Sequence, residues 1–179
     1  MNMDKEKQNI LAVIGLGNPG KKFINTRHNI GFRVVELLCD RFYGSWQEKN
    51  NMELATVALD GKKILLIKPQ TFMNDSGKII PFLQKQGIKA ENILVVHDEL
   101  EKKFGTLQIR LGGSHRGHNG LRSIIDHCGK EFYRLRFGIG RPEKKEDVGN
   151  FVLQNFTESN DDIQQLLEQS ADEIERILL

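Results

Sequence analysis

Residues 10–29 read ILAVIGLGNPGKKFINTRHN, an apolar run followed by a glycine-rich connection and a polar segment. The continuous apolar run at 10–16 is typical of a short strand buried on both faces, as in a parallel sheet. Beyond it, apolar residues recur with the period of an amphipathic helix, at Ile30, Val34, Leu37 and Leu38. A strand, a turn and a helix in this order predict an α/β fold. His28 lies in the connection, where a ligand can approach the glycine backbone.

The rest of the chain repeats this alternation of strands and helices. Strands are predicted from apolar runs and from alternating polarity, at 64–67, 93–96, 107–111 and 135–139. The last two are expected to have one polar face. Helices are predicted at 121–128 and 163–178, with a weaker one at 77–86 capped by Asp75 or Ser76. These elements predict a single-domain three-layer α/β sandwich, in which helices flank a mixed, mainly parallel sheet.

The 179 residues are enough for one sizeable core, so one domain over 1–179 is expected. Within it, residues 1–8 are expected to be flexible, 141–155 to form a lid-like loop and 158–178 the C-terminal helix. No apolar run approaches the roughly 18 residues of a membrane helix. The two cysteines, Cys39 and Cys128, lie far apart on apolar helix faces, which favours free thiols and a cytoplasmic protein.

Charge is distributed unevenly along the chain although the net charge is only +2. Residues 101–150 carry 11 basic and 6 acidic side chains, whereas residues 157–179 carry 1 basic and 7 acidic side chains. The acidic tail is typical of a solvated helix. Six arginines lie beside glycine-rich connections, namely Arg110, Arg116, Arg122, Arg134, Arg136 and Arg141. This clustering favours a polyanionic partner such as RNA.

Polar residues follow the predicted strands where each one ends. Asn18 follows the first strand, Asn74 the second and Asp98 the third, while Asn119 opens a helix. Because ligands of α/β sheets gather beyond the carboxyl ends of the strands, these side chains are expected to share a cleft with a histidine.

The sequence also contains partial matches to a dinucleotide-binding site and to a zinc site. The segment GLGNPG at 15–20 matches the dinucleotide pattern GxGxxG, but its third glycine does not open a helix, which argues against nicotinamide binding. A zinc site could use His97, His115 and His118, although neither cysteine is near them in sequence. A zinc hydrolase therefore stays a minor alternative.

Six segments in order resemble the bacterial-type peptidyl-tRNA hydrolases. They are GLGNPG at 15–20, TRHN at 26–29, KPQTFMNDSG at 68–77, HDEL at 97–100, GHNGL at 117–121 and RLRFGIG at 134–140. The resemblance covers about 10–156. It implies a monomeric, cytoplasmic enzyme, without metal or cofactor, that cleaves the ester between a peptide and the terminal ribose of tRNA.

The resemblance also implies roles for individual residues. His28 would be the catalytic base, Asp98 its carboxylate partner, and Asn18 the group that distinguishes N-blocked from free aminoacyl-tRNA. Substrate contacts would come from Phe23, Phe72, Met73, Asn74 and Asn119. Arg110 and Arg136 would meet the tRNA acceptor stem. The chemistry agrees, because a base-activated water suffices to cleave a ribose ester and a carboxylate fixes the histidine tautomer.

The chain departs from the family pattern at a few positions. Phe23 replaces a usual tyrosine, Arg110 a common lysine, and Ser114 and Arg116 replace glycines often found in that loop. The alternative to an enzyme is a non-catalytic RNA-binding protein on the same scaffold, of the splicing-factor kind. Binding alone would not need the complete set of His28, Asp98, Asn18 and Asn119.

Overall fold

The segment that opens the fold forms as the sequence predicts, with strand β1 at Ala12–Gly15 and helix α1 at Ile30–Arg41. The protein is described here by a computed structural model covering residues 8–179, so the predicted flexibility of 1–8 falls almost wholly outside the described residues. The other strands are β2 Gln47–Lys49, β3 Met52–Leu59, β4 Lys62–Pro69, β5 Ile93–Glu99, β6 Leu107–Leu111 and β7 Tyr133–Gly138.

Four further α-helices follow along the chain. The helices are α2 Ile80–Lys85, α3 Asn119–Cys128, α4 Val148–Val152 and α5 Asn160–Leu178. Short 3₁₀ turns precede several of them, at Lys21–Phe23, Arg27–Asn29, Met73–Ile79, Ala90–Asn92 and Lys145–Asp147. No helix among residues 8–179 is long and apolar enough to cross a membrane.

The seven strands of the described chain form one sheet in the order β2-β3-β4-β1-β5-β7-β6. The centre is parallel, because β1 pairs with β4 and β5, and β5 pairs with β7. Antiparallel pairs join β2 to β3, β3 to β4 and β6 to β7. The mixed sheet is confirmed, but parallel and antiparallel pairs are equal in number. The antiparallel share of the sheet is larger than predicted, because the sequence predicts no strand in the segment 47–59, which forms β2 and β3.

Each face of the sheet packs against its own helices, which confirms the three-layer sandwich. Neighbouring residues of β1 divide between the faces, with Val13 in one core and Ile14 in the other. Helices α1 and α5 cover the first face through buried residues such as Val34 and Ile174. Helices α2 and α3 cover the second through Leu83 and Ile124. Burial of this apolar surface supplies most of the drive to fold.

The helix cap predicted after β4 is wrong, and the polar face predicted for β7 is buried. The chain enters the helical segment after β4 earlier than expected, at Met73 in 3₁₀ geometry, so neither Asp75 nor Ser76 caps it; Ser76 Oγ instead donates to the Met73 carbonyl at 2.7 Å. Strand β7 has the predicted polar face, which carries Arg134 and Arg136, but this face is buried. Their guanidinium groups find partners inside the protein, which allows this burial.

The carboxyl end of β1 lies against the start of α1, and this contact sets where the intervening connection runs. A Cβ atom on Gly15 would overlap the carbonyl oxygen of Gly31, and one on Gly31 would overlap the backbone of Leu16 and Val96. Only glycine permits backbones this close. The polar segment with His28 is therefore held directly over the ends of β1 and β5.

The segments predicted at the C-terminal end are more structured than expected. The lid-like loop at 141–155 contains a 3₁₀ turn and α4. The C-terminal helix begins at Asn160 rather than 158, because Ser159 Oγ accepts from the Asp162 amide at 3.1 Å as an N-cap. Both cysteines are free, as predicted.

Candidate active site

His28 and Asp98 meet at the carboxyl edge of the sheet. Asp98 lies near the end of β5, and His28 lies in the 3₁₀ turn that follows the β1 connection. Since β1 and β5 are parallel neighbours, the turn after β1 passes over the end of β5. His28 Nδ1 lies 2.8 Å from Asp98 Oδ2. The structure thus brings together the two residues that the sequence singles out first.

A second histidine, His118, shares the same carboxylate. Its Nε2 lies 2.8 Å from Asp98 Oδ1, and its Nδ1 accepts from the Leu121 amide at 3.3 Å as the N-cap of α3. Since Nδ1 accepts, Nε2 carries the proton and donates it to Asp98. From the sequence, His118 is predicted only as a possible zinc ligand. Its position just before a helix, within the segment 117–121 that resembles the family, is the feature of the sequence that could have marked it as a site residue.

The hydrogen bonds from His28 and His118 keep the Asp98 carboxylate ionised. Burial alone would raise the pKa of Asp98, but His28 and His118 hold it well below its usual range, so Asp98 is ionised. For His28, burial opposes protonation, yet the charge of Asp98 and its hydrogen bond raise the pKa above the ordinary value. With Nδ1 donating to Asp98, the neutral His28 ring leaves Nε2 as an acceptor.

His97 stands apart from this chemistry although it precedes Asp98. Complete burial and the nearby His118 lower its pKa to about 4, so the ring is neutral. Its Nδ1 donates to the Asp98 carbonyl at 2.9 Å. Nε2 is buried without a hydrogen-bond partner among the described residues. His97 therefore packs beside the pair without donating to either carboxylate oxygen.

Asn18 ties the first connection to the segment after β4. Its Oδ1 accepts from the Met73 amide at 2.8 Å, while its backbone exchanges hydrogen bonds of 2.9 Å with the side chain of Asn29. Asn29 follows His28 directly, so the buried Asn18 is fixed relative to His28. Its Nδ2 has no hydrogen-bond partner within residues 8–179 and is the part free to meet a ligand.

A cavity of about 450 Å³ opens beside His28 and holds only some of the predicted residues. Its wall includes five of them, namely His28, Asp98, Arg110, Asn119 and Arg136. The other five do not line it: Asn18, Phe23, Phe72, Met73 and Asn74. Asn18 borders a separate cavity of about 270 Å³. Phe72 is 64% exposed, and its ring is open to solvent.

The arginines that line this cavity differ in what they contact. Arg136 is buried and bound by Glu99, with Nε 2.6 Å from Oε1, and its Nη1 donates to Gln108 at 2.9 Å. Arg134 Nη1 donates to the Ser114 carbonyl at 2.8 Å, and Nη2 donates to the Gly113 carbonyl. Arg110 is exposed and makes no ion pair within residues 8–179.

Burial and the neighbouring Arg136 lower the pKa of Arg134 to about 10, which still leaves it charged at neutral pH. Arg134 thus holds the loop before His118, whereas Arg110 presents a free charge to the cavity. Of the six arginines in the basic region of the sequence, only Arg122 lies outside this wall.

Arg27 joins the turn of His28 to the opposite wall of the cavity. Its Nη1 donates to the Phe151 carbonyl at 2.8 Å, and its guanidinium carbon lies 3.8 Å from the centre of the Phe151 ring. Its backbone amide also donates to Gln154 at 3.1 Å. Helix α4, which supplies Val148 and Val152 to the wall, is therefore tied at its carboxyl end to the turn that carries His28.

The histidines predicted as possible zinc ligands, His97, His115 and His118, are not the residues that the fold brings together. Among residues 8–179, one group brings its ligand atoms within 4.8 Å of one another, and it consists of His28, Asp98 and His118. His115 Nδ1 instead accepts from the Gly117 amide at 3.0 Å. The three predicted histidines do not converge.

A buried aspartate between two histidines, at the carboxyl edge of an α/β sheet and beside an arginine-lined cavity, is an arrangement typical of enzymes that use acid–base chemistry on a polyanionic substrate. The family model described as peptidyl-tRNA hydrolase matches residues 12–179. The chain belongs to the peptidyl-tRNA hydrolase family.

Individual relatives agree with this assignment. The peptidyl-tRNA hydrolase of Bartonella bacilliformis is 44% identical over 153 residues, which cover 84% of this chain and 79% of the relative. That of Mycobacteroides abscessus is 42% identical over 173 residues, covering 94% and 88%. The crystal structure of peptidyl-tRNA hydrolase from Acinetobacter baumannii matches with a TM-score of 0.86 and 37% identity, over 96% of this chain and 88% of that one.

Proposed function

We propose that this protein hydrolyses the ester bond between a peptide, or an N-blocked aminoacyl group, and tRNA. The observation that carries the proposal is the His28–Asp98 hydrogen bond of 2.8 Å at the wall of the arginine-lined cavity. Membership of the peptidyl-tRNA hydrolase family supports the same activity. From the resemblance to the family, we also propose that the enzyme is cytoplasmic and acts as a monomer.

The mechanism follows from the hydrogen bonds around Asp98. Neutral His28 accepts a proton from water at Nε2 while the water oxygen attacks the ester carbonyl carbon. The ionised Asp98 stabilises the imidazolium that forms, and His118 holds the carboxylate in place from its other oxygen. The imidazolium then returns the proton to the ribose oxygen as the ester bond breaks. No covalent intermediate is needed.

Amide side chains near the base suit the recognition of the peptide. Asn119 lines the same cavity as His28, and the free Nδ2 of Asn18 can donate to a peptide carbonyl. Phe72, Met73 and Asn74 belong to the segment that is bound to Asn18 through the Met73 amide. We propose that the peptide passes along these residues and Phe23, outside the main cavity.

The tRNA is proposed to enter from the arginine side of the cavity. Arg110 is the stronger of the two predicted contacts, because its guanidinium is exposed and unpaired within the described residues. Arg136 is already neutralised by Glu99, so we propose that it offers only its remaining N–H donors to a phosphate.

The deciding experiment compares N-acetylaminoacyl-tRNA with free aminoacyl-tRNA as substrates, using protein dialysed against a chelator. We expect rapid release of the acyl group from the blocked substrate only. Binding of the tRNA without ester cleavage would instead support the splicing-factor-like alternative. Activity that disappears on dialysis and returns with zinc would support a metal-dependent hydrolase.

We predict that Asn18→Asp reduces the preference for the blocked substrate. The variant keeps an oxygen to accept the Met73 amide, but it loses the Nδ2 donor and adds a charge that attracts a free amino group. The ratio of kcat/KM for blocked over free substrate should fall by roughly tenfold, the value of one hydrogen bond. Asn25→Asp, exposed on the same connection, is the matched control. An unchanged ratio in Asn18→Asp would place the selection elsewhere.

A further inference from the structure

The turn between β6 and α3 contains an arginine in a backbone conformation that arginine disfavours. The His118 amide donates to the His115 carbonyl at 2.9 Å, which closes a four-residue turn. Both central residues have positive φ, 47° at Arg116 and 81° at Gly117. This is the φ pattern of a type I′ turn, whose first central position favours Asn, Asp or Gly. Arg116 is therefore strained where asparagine would not be.

Strain of this kind is found more often at functional sites than elsewhere, so the surroundings of Arg116 matter. Arg116 is exposed and lines the same cavity as His28. Within residues 8–179 its guanidinium makes no hydrogen bond and no ion pair, and its charge acts on Glu101 only from a distance, where it helps to lower the pKa of that carboxylate. By contrast, Arg141 in the same wall is bound by Glu101, with Nε 2.8 Å from Oε1. Arg136 is likewise neutralised by Glu99.

The position of the turn relative to the base identifies what Arg116 can reach. His118, two residues further on, bonds the carboxylate that holds His28. The loop before the turn is fixed by Arg134, which binds the carbonyl oxygens of Gly113 and Ser114. Arg116 therefore projects from a fixed loop at the cavity that contains the reacting ester, with a free guanidinium suited to an anion.

We propose that Arg116 binds a phosphodiester of the tRNA 3′ strand, among the phosphates nearest the ester. A guanidinium binds phosphate oxygens through paired N–H donors, and the exposed, unpaired Arg116 has these donors free. The proposal rests on the proposed function and adds to it a phosphate contact separate from Arg110. The gain in substrate binding offsets the strain of the turn.

The test is Arg116→Asn, because asparagine fits the left-handed backbone and removes only the charged side chain. We expect KM for N-acetylaminoacyl-tRNA to rise by roughly tenfold, as for loss of a hydrogen bond to a charged group, with kcat within about twofold of the parent. The slope of log KM against log salt should flatten by about 0.7, the value for one phosphate of a single strand. The melting temperature should equal or exceed that of the parent.

Three comparisons make the result specific. An N-acetylaminoacyl ester of a single nucleoside lacks the phosphate and should be cleaved equally by variant and parent. Arg116→Lys keeps the charge and should restore most of the lost binding. Lys85→Asn removes one positive charge from the end of α2, outside the cavity, and should leave KM for tRNA unchanged.

The opposing outcomes are equally distinct. A raised melting temperature with an unchanged KM for tRNA would show that the strain serves no binding role and would overturn the proposal. Equal losses on the tRNA and nucleoside esters would overturn it too, since they indicate a damaged site. If the parent cleaved no ester, the proposed function would fail, but the affinity of tRNA measured by fluorescence anisotropy would still test Arg116. Equal affinity of parent and Arg116→Asn would then refute the contact.

Discussion

Replacing His28 with alanine is expected to lower kcat on N-acetylaminoacyl-tRNA by roughly 10²–10⁴-fold, the usual contribution of a general base. The loss should fall on kcat and kcat/KM together, because His28 Nε2 acts on the attacking water and contributes little to binding the tRNA. The affinity for tRNA, measured by fluorescence anisotropy with the uncleaved substrate, should stay within about threefold of the parent.

A control for this variant removes an imidazole that lies outside the cavity. His127 in α3 bonds the Ser123 carbonyl at 2.8 Å and contacts neither Asp98 nor the cavity wall. His127→Ala should therefore keep the parental kcat wherever it stays folded, as judged by its melting temperature. Substantial turnover by His28→Ala, at a parental melting temperature, would show that another group activates the water.

Much of the fold could be predicted because its central strands are continuous apolar runs. Strands β1, β4 and β5 are buried on both faces, and burial of that kind leaves a clear signal in the sequence. Strand β2 leaves no such signal, since Gln47–Lys49 is polar and exposed at the edge of the sheet. Without a signal for β2, the sequence does not predict its hairpin partner β3 either, so it predicts fewer antiparallel pairs than the sheet contains.

Part of the candidate site could also be predicted from the sequence, and part could not. His28 and Asp98 follow predicted strands, and the topology of a parallel sheet alone brings such positions together. His118 could not be placed in the same way, because its bond to Asp98 depends on how α3 begins and on which ring nitrogen faces the carboxylate. The pairing of Arg136 with Glu99 joins two strands whose register the sequence does not specify.

Asp98→Asn is expected to lower kcat by roughly 10²-fold or more, because an amide cannot accept a hydrogen bond at both of its ends. The carboxylate accepts from His28 and from His118 at 2.8 Å each. In the variant, one histidine would face an NH₂ group and would have to present a lone pair to it. If His28 does so at Nδ1, its proton moves to Nε2 and the base is lost.

The pH profile separates this cause from simple misfolding. In the parent, Asp98 raises the pKa of His28 above the ordinary value of 6.5, so protonation of the base should reduce kcat/KM as the pH falls through a midpoint above 6.5. The residual activity of Asp98→Asn should decline at a lower pH, since the charge that favours the imidazolium is gone and burial still opposes it. The measurement is kcat/KM from pH 5 to 9 for both proteins, with melting temperatures at each end. An identical midpoint in the two proteins, or parental activity of the variant at neutral pH, would contradict the role of Asp98. The Asp98 carboxylate lies 2.8 Å from His28, so the loss of its charge must change the affinity of His28 for a proton.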